Sequence, residues 1–271
     1  MSALAESGTA RVGELLRGWR ERRRLSQLSL ALDAGVSTRH LSCVETGRAK
    51  PSAELLLALA EQLGLPLRER NRLLLAAGFA PRFSETQLGA PGLQGVRAAL
   101  QRLLDAHHPY PGVALDRHWN VVLANAAAKT LVAQLPAFLQ GPPLNVFRAS
   151  LHPEGMAAWT LNFADWGRYL IDELQRVAAS STDAATLALA AEVMAWPNVA
   201  ALAREPREQG APEDAPALLI PCVLELGGVR LSLFTTLATF GSPRDVTLAE
   251  LTVELFYPAD AATEAALRAM G

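Results

Sequence analysis

"LSQLSLALDAGVSTRHLSCVETGRAKPS", Leu25 to Ser52, is a series of helix starts and stops. Ser26, Ser37 and Ser52 each precede a run able to form a helix, where a side-chain hydroxyl accepts from an otherwise unpaired amide of the first turn. Gly35 and Gly47 stand where a left-handed residue ends a helix at little cost. Leu30 and Ala31 mark the inward side of one helix, Leu41 and Val44 that of the next. On that second helix Thr38, Arg39, Ser42 and Cys43 point the other way. They are too polar for a core and too sparsely charged for plain solvation.

The pattern extends in both directions. Val12, Leu15, Leu16 and Trp19 recur at helical spacing and predict a helix over 12–23, ending in the run ERRR. After Ser52, Leu55, Leu56, Leu59 and Leu63 predict a fourth helix, with Gly64 after its end; Pro66 opens a fifth that closes near Gly78. Five short helices with a tight glycine turn between the second and third form a helix-turn-helix layout.

The formal net charge is −2, but residues 1–83 carry 13 Lys and Arg against 8 Asp and Glu, while the remainder carries 12 against 19. A basic front (+5) and an acidic back (−7) suit a chain of which one domain meets phosphate. At 271 residues, 50% hydrophobic and 19% charged, the chain has the length of two globular domains. No apolar run approaches the ~20 residues of a membrane span. No signal peptide is read at the start, and two distant cysteines, Cys43 and Cys222, suggest reduced thiols, so a cytoplasmic location is expected, with no membrane partner.

The Leu25–Ser52 stretch resembles the Cro/lambda-repressor type, or XRE, family of helix-turn-helix regulators. The matching residues are Ser26-Gln27, Leu30-Ala31, Ala34-Gly35-Val36-Ser37, Leu41-Ser42, Glu45, Gly47-Arg48 and Pro51-Ser52, within a likeness covering roughly 11–78. The resemblance implies double-stranded DNA as partner. Thr38, Arg39, Ser42 and Cys43 then face the major groove, where Arg39 has the fork to grip guanine, and the capping Ser37 counts among the DNA-binding residues. His40 sits at the edge near phosphate. Gln27, Arg48 and Lys50 contact the backbone. The resemblance also implies a structural ion pair, Arg20 with Glu45. A helical protein–protein module is the alternative for this region, and a redox role the alternative for Cys43.

"SETQLGAPG", Ser84–Gly92, reads as a linker. Beyond it, a helix is expected around 93–106, then short strands at 112–116 and 120–124, a chain that turns helical at Asn125, a helix capped by Asn162, and another over 183–195 broken by Pro197. After the loop "REPREQGAPEDAP", "ALLIPCVLEL-GG-VRLSLFTTLATF" is a hairpin pair, and "ELTVELFY" a third strand with Leu251, Val253 and Leu255 on one face and Glu250, Thr252 and Glu254 on the other. Two strands, a block of helices and three strands is the order of a PAS-like domain.

This half resembles the MmyB-like ligand-binding domain found behind XRE domains. The likeness is carried by "HPYPGVALDRHWNVVLANAAA", "NVFRASLHPEGM" with Asn162 to Trp166, and "TTLATFGSPRDVTLAELTVELFYPADAAT". It implies a pocket between sheet and helices and, in some relatives, a small apolar or fatty-acyl-like ligand. Phe147, Trp159, Phe163, Trp166, Phe234 and Phe240 are the candidate apolar lining. Asn145, Arg148, His152 and Asn162 are candidate polar anchors, with Arg148 able to fork onto a carboxylate. Ordinary core and cap roles are the alternative for each.

The expected fold is multidomain: an all-α five-helix lambda-repressor-like domain (1–83), a linker (84–92), then an α+β PAS-like domain with an antiparallel sheet (93–271). The expected function is a dimeric, ligand-responsive, DNA-binding transcriptional regulator without cofactor, metal or catalytic residue. No HExxH, CxxC, GxSxG or Walker-type loop appears. A haem sensor, with His118 or His152 as ligand, or an enzyme in the second half is the alternative.

Overall fold

Three serine hydroxyls set the helical starts of the first unit. Ser26 Oγ accepts from the Ser29 amide (3.0 Å), Ser37 Oγ from His40 (3.1 Å) and Ser52 Oγ from Leu55 (3.2 Å). The computed structural model describes residues 2–180, 183–205 and 219–270. The loop expected at 204–216 lies almost wholly outside the described residues, as does the start of the strand run at 217–218.

The chain divides into two compact units, one of residues 1–87 with 241–249, the other of 88–240 with 250–271. The first unit holds α1 (Ser2–Arg22), α2 (Gln27–Asp33), α3 (Thr38–Glu45), α4 (Ala53–Gln62) and α5 (Leu67–Ala76). Helix α1 starts ten residues before the first apolar repeat at Val12, because Ser2–Arg11 sustains a helix without an apolar stripe to announce it. Gly35 takes φ +67° and lets the Val36 amide close back on the Ala31 carbonyl at 2.9 Å, so α2 stops and the chain turns into α3. Leu16, Leu30, Leu41, Val44, Leu56, Leu59 and Leu73 form the shared core. Leu55, expected inward, is only half-buried.

Two further segments complete this unit. Asn71 of α5 accepts from the Arg82 and Phe83 amides and donates to the Phe83 carbonyl, folding the following chain back on the helix. Ser84 then pairs with Asp245, which lies in the segment 241–249 that precedes the last strand. That segment was expected to be part of the second domain, and Asp245 is buried here.

The second unit is a five-stranded antiparallel sheet, order β2-β1-β5-β4-β3, with helices on both faces. In chain order it runs α6 (Gln94–Ala106), β1 (Gly112–Leu115), β2 (Val121–Ala124), α7 (Ala126–Val132), α8 (Val146–Leu151), α9 (Phe163–Ser180), α10 (Ala184–Met194), α11 (Pro197–Arg204), β3 (Cys222–Leu226), β4 (Val229–Thr239), β5 (Thr252–Pro258) and α13 (Ala261–Met270); α12 (Val246–Ala249) belongs to the first unit. The Gly227-Gly228 turn, both residues at positive φ, sets Leu226 opposite Val229. Pro197 opens a new helix as well as ending α10, since its missing N–H costs nothing in a first turn.

Register decides which side chains meet the interior. Leu224 pairs with Leu231, Cys222 with Leu233, Thr235 with Phe256, and Val113 with Glu254. Paired residues share a face, so Val113, Leu231, Leu233, Cys222, Leu224, Glu254 and Phe256 all point to one side. Helices α7 to α9 pack there. On the other side α6 packs on β1 and β2, while α13 packs on β4 and β5 with its Leu267 in the core cluster of Leu231 and Leu233. Of the two faces that alternation separates on β5, the one that carries Glu254 is therefore the helix-lined interior. Alternation alone labels a strand's two faces, and because α6 covers the second face too, Val253 stays buried there and hydrophobicity no longer tells in from out.

Candidate functional site

Helix α3 is locked in place from inside. Arg20 Nε reaches Glu45 Oε1 at 2.6 Å and Nη2 reaches Oε2 at 2.9 Å, a bidentate pair joining α1 to the last turn of α3. Arg20 Nη1 also donates to the Leu25 carbonyl at 2.9 Å. The hydrogen bond to Glu45 holds the Arg20 guanidinium above its ordinary range against the opposing effect of burial. Gly13 completes the fit: a Cβ there would stand 2.5 Å from the carbonyl oxygens of Val44 and Glu45, so α1 and α3 approach as closely as backbones allow.

The opposite side of α3 is open within its unit. Arg39 and His40 are exposed, Thr38, Ser42 and Cys43 half-buried, and Arg48 and Lys50 exposed in the loop that follows. Arg39 has no hydrogen bond or ion pair among the described residues. The structure thus brings Ser37, Thr38, Arg39, His40, Ser42, Cys43, Arg48 and Lys50 together on and beside one helix. Lys50 Nζ also lies 6.0 Å from the Phe79 ring. Gln27 is placed differently. Its amide nitrogen donates to Glu45 Oε2 at 2.7 Å, so Gln27 belongs to the Arg20–Glu45 network as well as lying at the start of α2. The ERRR run holds another fastener that charge alone did not reveal: Arg23 donates to the carbonyls of Leu63 and Gly64 at the end of α4.

The second unit contains a cavity of about 90 Å³ between sheet and helices. Val113, Val121, Leu224, Leu233 and Phe256 line its sheet side. Ala128, Leu131 and Val132 of α7, with Val146 and Ala149 of α8, line the other. Polar side chains on its wall are few: Ser150, the Cys222 thiol and Glu254. Burial pushes the Cys222 thiol up to about 12, with the Glu254 carboxyl adding to the effect, so this sulfur is a neutral wall atom.

None of the ten residues expected to bind ligand lines that cavity. Phe147 is fully buried against Trp119, ring centroids 4.9 Å apart, and Trp166 is core. Phe163 packs at the edge of the same core, and Trp159 on the cluster around Leu135 and Leu139. Phe234 stacks on Tyr257, and Phe240 is exposed. Asn145 caps α8 and bonds the His118 carbonyl and Asn120; Asn162 bridges to Pro221 and Val223. Arg148 is held by both carboxylate oxygens of Glu192, at 2.8 and 2.6 Å. Asn145, Arg148 and His152 do share a hollow, a separate one beside Phe138 and Trp196. Aromatic and charged residues attract attention in a sequence, whereas this wall is mostly aliphatic and its aliphatic residues look like core.

The histidines considered as haem ligands are engaged elsewhere. His118 Nε2 lies 3.0 Å from Asp183 Oδ2, and the His152 ring packs edge-on against Phe138 and Trp196. Among the described residues no group of three or more His, Cys, Asp or Glu converges in a way that would hold a metal ion. No single described helix is long and apolar enough to cross a membrane. Glu254 is the residue that sequence reading missed. The only signal was a carboxylate inside an apolar strand, "TVELFY", and alternation set it with Glu250 and Thr252 without saying which face looks inward.

Residues 96–270 match the family model of the MmyB-like transcription regulator ligand binding domain, and residues 16–70 match a Helix-turn-helix model. Among solved structures, the chain is similar to the restriction-modification controller protein C.AhdI from Aeromonas hydrophila, with 32% identity, 23% of this chain and 94% of that chain covered, and a TM-score of 0.22. It is also similar to the clp gene regulator ClgR from Corynebacterium glutamicum in two structures. One gives 30% identity, coverage of 26% and 88%, and a TM-score of 0.24; the other gives 28%, 38% and 95%, and 0.24. The search of curated proteins gives no match.

Proposed function

We propose, from the premise that this chain belongs to the MmyB-like transcription regulator family, that it reads an operator with α3 and responds to a small apolar effector held by its second unit. The coarse statement needs no proposal: the chain is a DNA-binding transcriptional regulator with a ligand-binding domain. The finer reading rests on one observation, the outward side of α3. An exposed Arg39 without a partner among the described residues stands on a helix whose inner side is fixed by Arg20, Gln27 and Glu45. A rigidly mounted helix of this width fits the major groove. Thr38, Ser42 and Cys43 flank Arg39 at base edges; Ser37 and His40, with Arg48 and Lys50, meet phosphates.

One short helix reads few base pairs, so the protein acts as a homodimer on a two-fold related site. We read it as cytoplasmic. The effector occupies the aliphatic cavity between sheet and helices and shifts the balance between dimer states that differ in recognition-helix spacing. The test is selection of a binding sequence from random duplex DNA, followed by titration of full-length protein onto it. A defined palindromic site, bound by two copies, is the expected result. Recovery of no enriched sequence would remove the DNA reading, and a single copy bound with full affinity would remove the dimer.

A further inference from the structure

The cavity of the second unit has one feature that an apolar effector alone does not explain. Glu254 is 6% exposed, stands on the inward face of β5 among Val113, Leu233 and Phe256, and its Oε2 has no hydrogen-bonding partner among the described residues. An unmade hydrogen bond on a buried carboxyl is costly, and Val, Leu or Thr fits a strand here better.

Resting on the cavity reading above, we propose that the effector is a small apolar molecule ending in a hydrogen-bond donor, an amine or a hydroxyl, which it presents to Glu254 Oε2. A carboxylic acid is disfavoured, because an ionised head group would meet a second carboxyl in apolar surroundings with no cation on the cavity wall. Arg148, the guanidinium that sequence reading offered for such a head group, is paired with Glu192 and lines a different hollow. Size points the same way. A cavity of ~150 Å³ holds benzene, so about 90 Å³ suits a body of a few carbons and not a long acyl chain. Burial raises the Glu254 carboxyl to about 7, opposed by a hydrogen bond with Thr235, so the group can meet a neutral hydroxyl as an acid or an ammonium as its anion.

The test uses full-length protein with methyl-labelled valine and leucine, titrated with pentylamine, pentan-1-ol, pentanoate and n-pentane while the Val113 and Leu233 methyl resonances are followed. Pentylamine and pentan-1-ol should bind about tenfold or more tightly than pentanoate. In Glu254→Gln, which has no carboxylate to meet an ammonium, pentylamine should lose affinity relative to pentan-1-ol. In Glu254→Leu n-pentane should bind as well as either donor. Pentanoate binding as tightly as the donors, or donor preference persisting in both variants, overturns the assignment. Binding of n-pentane to the wild type without any head-group preference also overturns it, yet leaves the cavity reading standing. Failure of every probe to move either resonance overturns both.

Discussion

Arg20 and Glu45, 25 positions apart, meet through two parallel hydrogen bonds while their side chains are 10% and 1% exposed. With Gln27 on the second carboxylate oxygen, the pair fixes the angle at which α3 leaves the helical core. Removing one partner strands the other charge in a dry place. Arg20→Ala and Glu45→Ala should each destabilise the protein by ~3–5 kcal/mol in urea unfolding. The Arg20→Met, Glu45→Leu double variant should recover part of that loss, since apolar replacement removes both charges together. Equal losses in single and double variants would mean that packing, and not the ion pair, is what matters.

Gly13 gives a geometric counterpart. A methyl group there lies 2.5 Å from two carbonyl oxygens of α3, and both are backbone atoms that cannot swing away. Gly13→Ala should therefore displace α3, although alanine is the better helix former by ~1 kcal/mol. The expected outcome is lower stability together with weakened DNA binding. Gly18→Ala, whose Cβ meets nothing within 4 Å, is the control and should stabilise slightly.

Arg39 and Lys50 separate base reading from charge. Arg39→Ala should relax discrimination at one base pair by ~1–3 kcal/mol. Lys50→Ala should weaken binding to every sequence and flatten the salt dependence by about one ion. Binding measured on a panel of single-base operator variants at several salt concentrations distinguishes the two, and identical sequence-blind losses would contradict the assigned roles.

Glu254 carries a pH signature of known sign. Its folded-state carboxyl stands at about 7, burial being the cause, against the ordinary 4.5. Below the ordinary value both folded and unfolded chains hold the proton. Between the two values the folded chain holds the proton more firmly, so stability falls as pH rises, by on the order of 3 kcal/mol, and the penalty is constant above. The Cys222 thiol on β3 and the Tyr169 hydroxyl on α9 are the other titratable groups that feel Glu254, and both are held up by burial with Glu254 contributing, so neither supplies a cation. The difference in unfolding free energy between wild type and Glu254→Gln should grow from pH 5 to pH 8. A pH-independent difference would show that Glu254 titrates normally.

The helical unit was legible because its rules are local. Serine caps, glycine stops and a leucine stripe lie within a few residues of one another, and the structure keeps Ser26, Ser37, Ser52, Leu41 and Val44 in the expected roles. In the second unit the β3–β4 hairpin was legible for the same reason, through the Gly227-Gly228 turn. The unit's cavity was not. Which face of β5 looks inward depends on pairing Val113 with Glu254 across more than a hundred residues, and on α6 covering the other side. Likewise the role of 241–249 depends on a side chain at Ser84.

That last contact makes Asp245 a joint within the first unit. Its Oδ2 accepts from Ser84 Oγ at 2.8 Å and from the Thr86 amide at 3.1 Å, while Oδ1 accepts from the Thr247 amide at 2.9 Å. Burial tends to raise this carboxyl, but the bonds to Ser84 and Thr86 outweigh it and hold it below the ordinary value. The chain leaves this unit at Leu88 and returns at Gly241, so one carboxylate ties the outgoing segment to the returning one. Asp245→Ala removes both acceptor oxygens and leaves several donors unpaired, at ~1–3 kcal/mol for each that stays buried. Asp245→Asn keeps an oxygen at one of the two positions and should lose less. Amide hydrogen exchange should accelerate at Thr86, Val246 and Thr247 in the alanine variant while the amides of α3 keep their protection. If α3 exchanged faster by the same factor, the joint would not be a local fastening but part of the cooperative core of the helical unit.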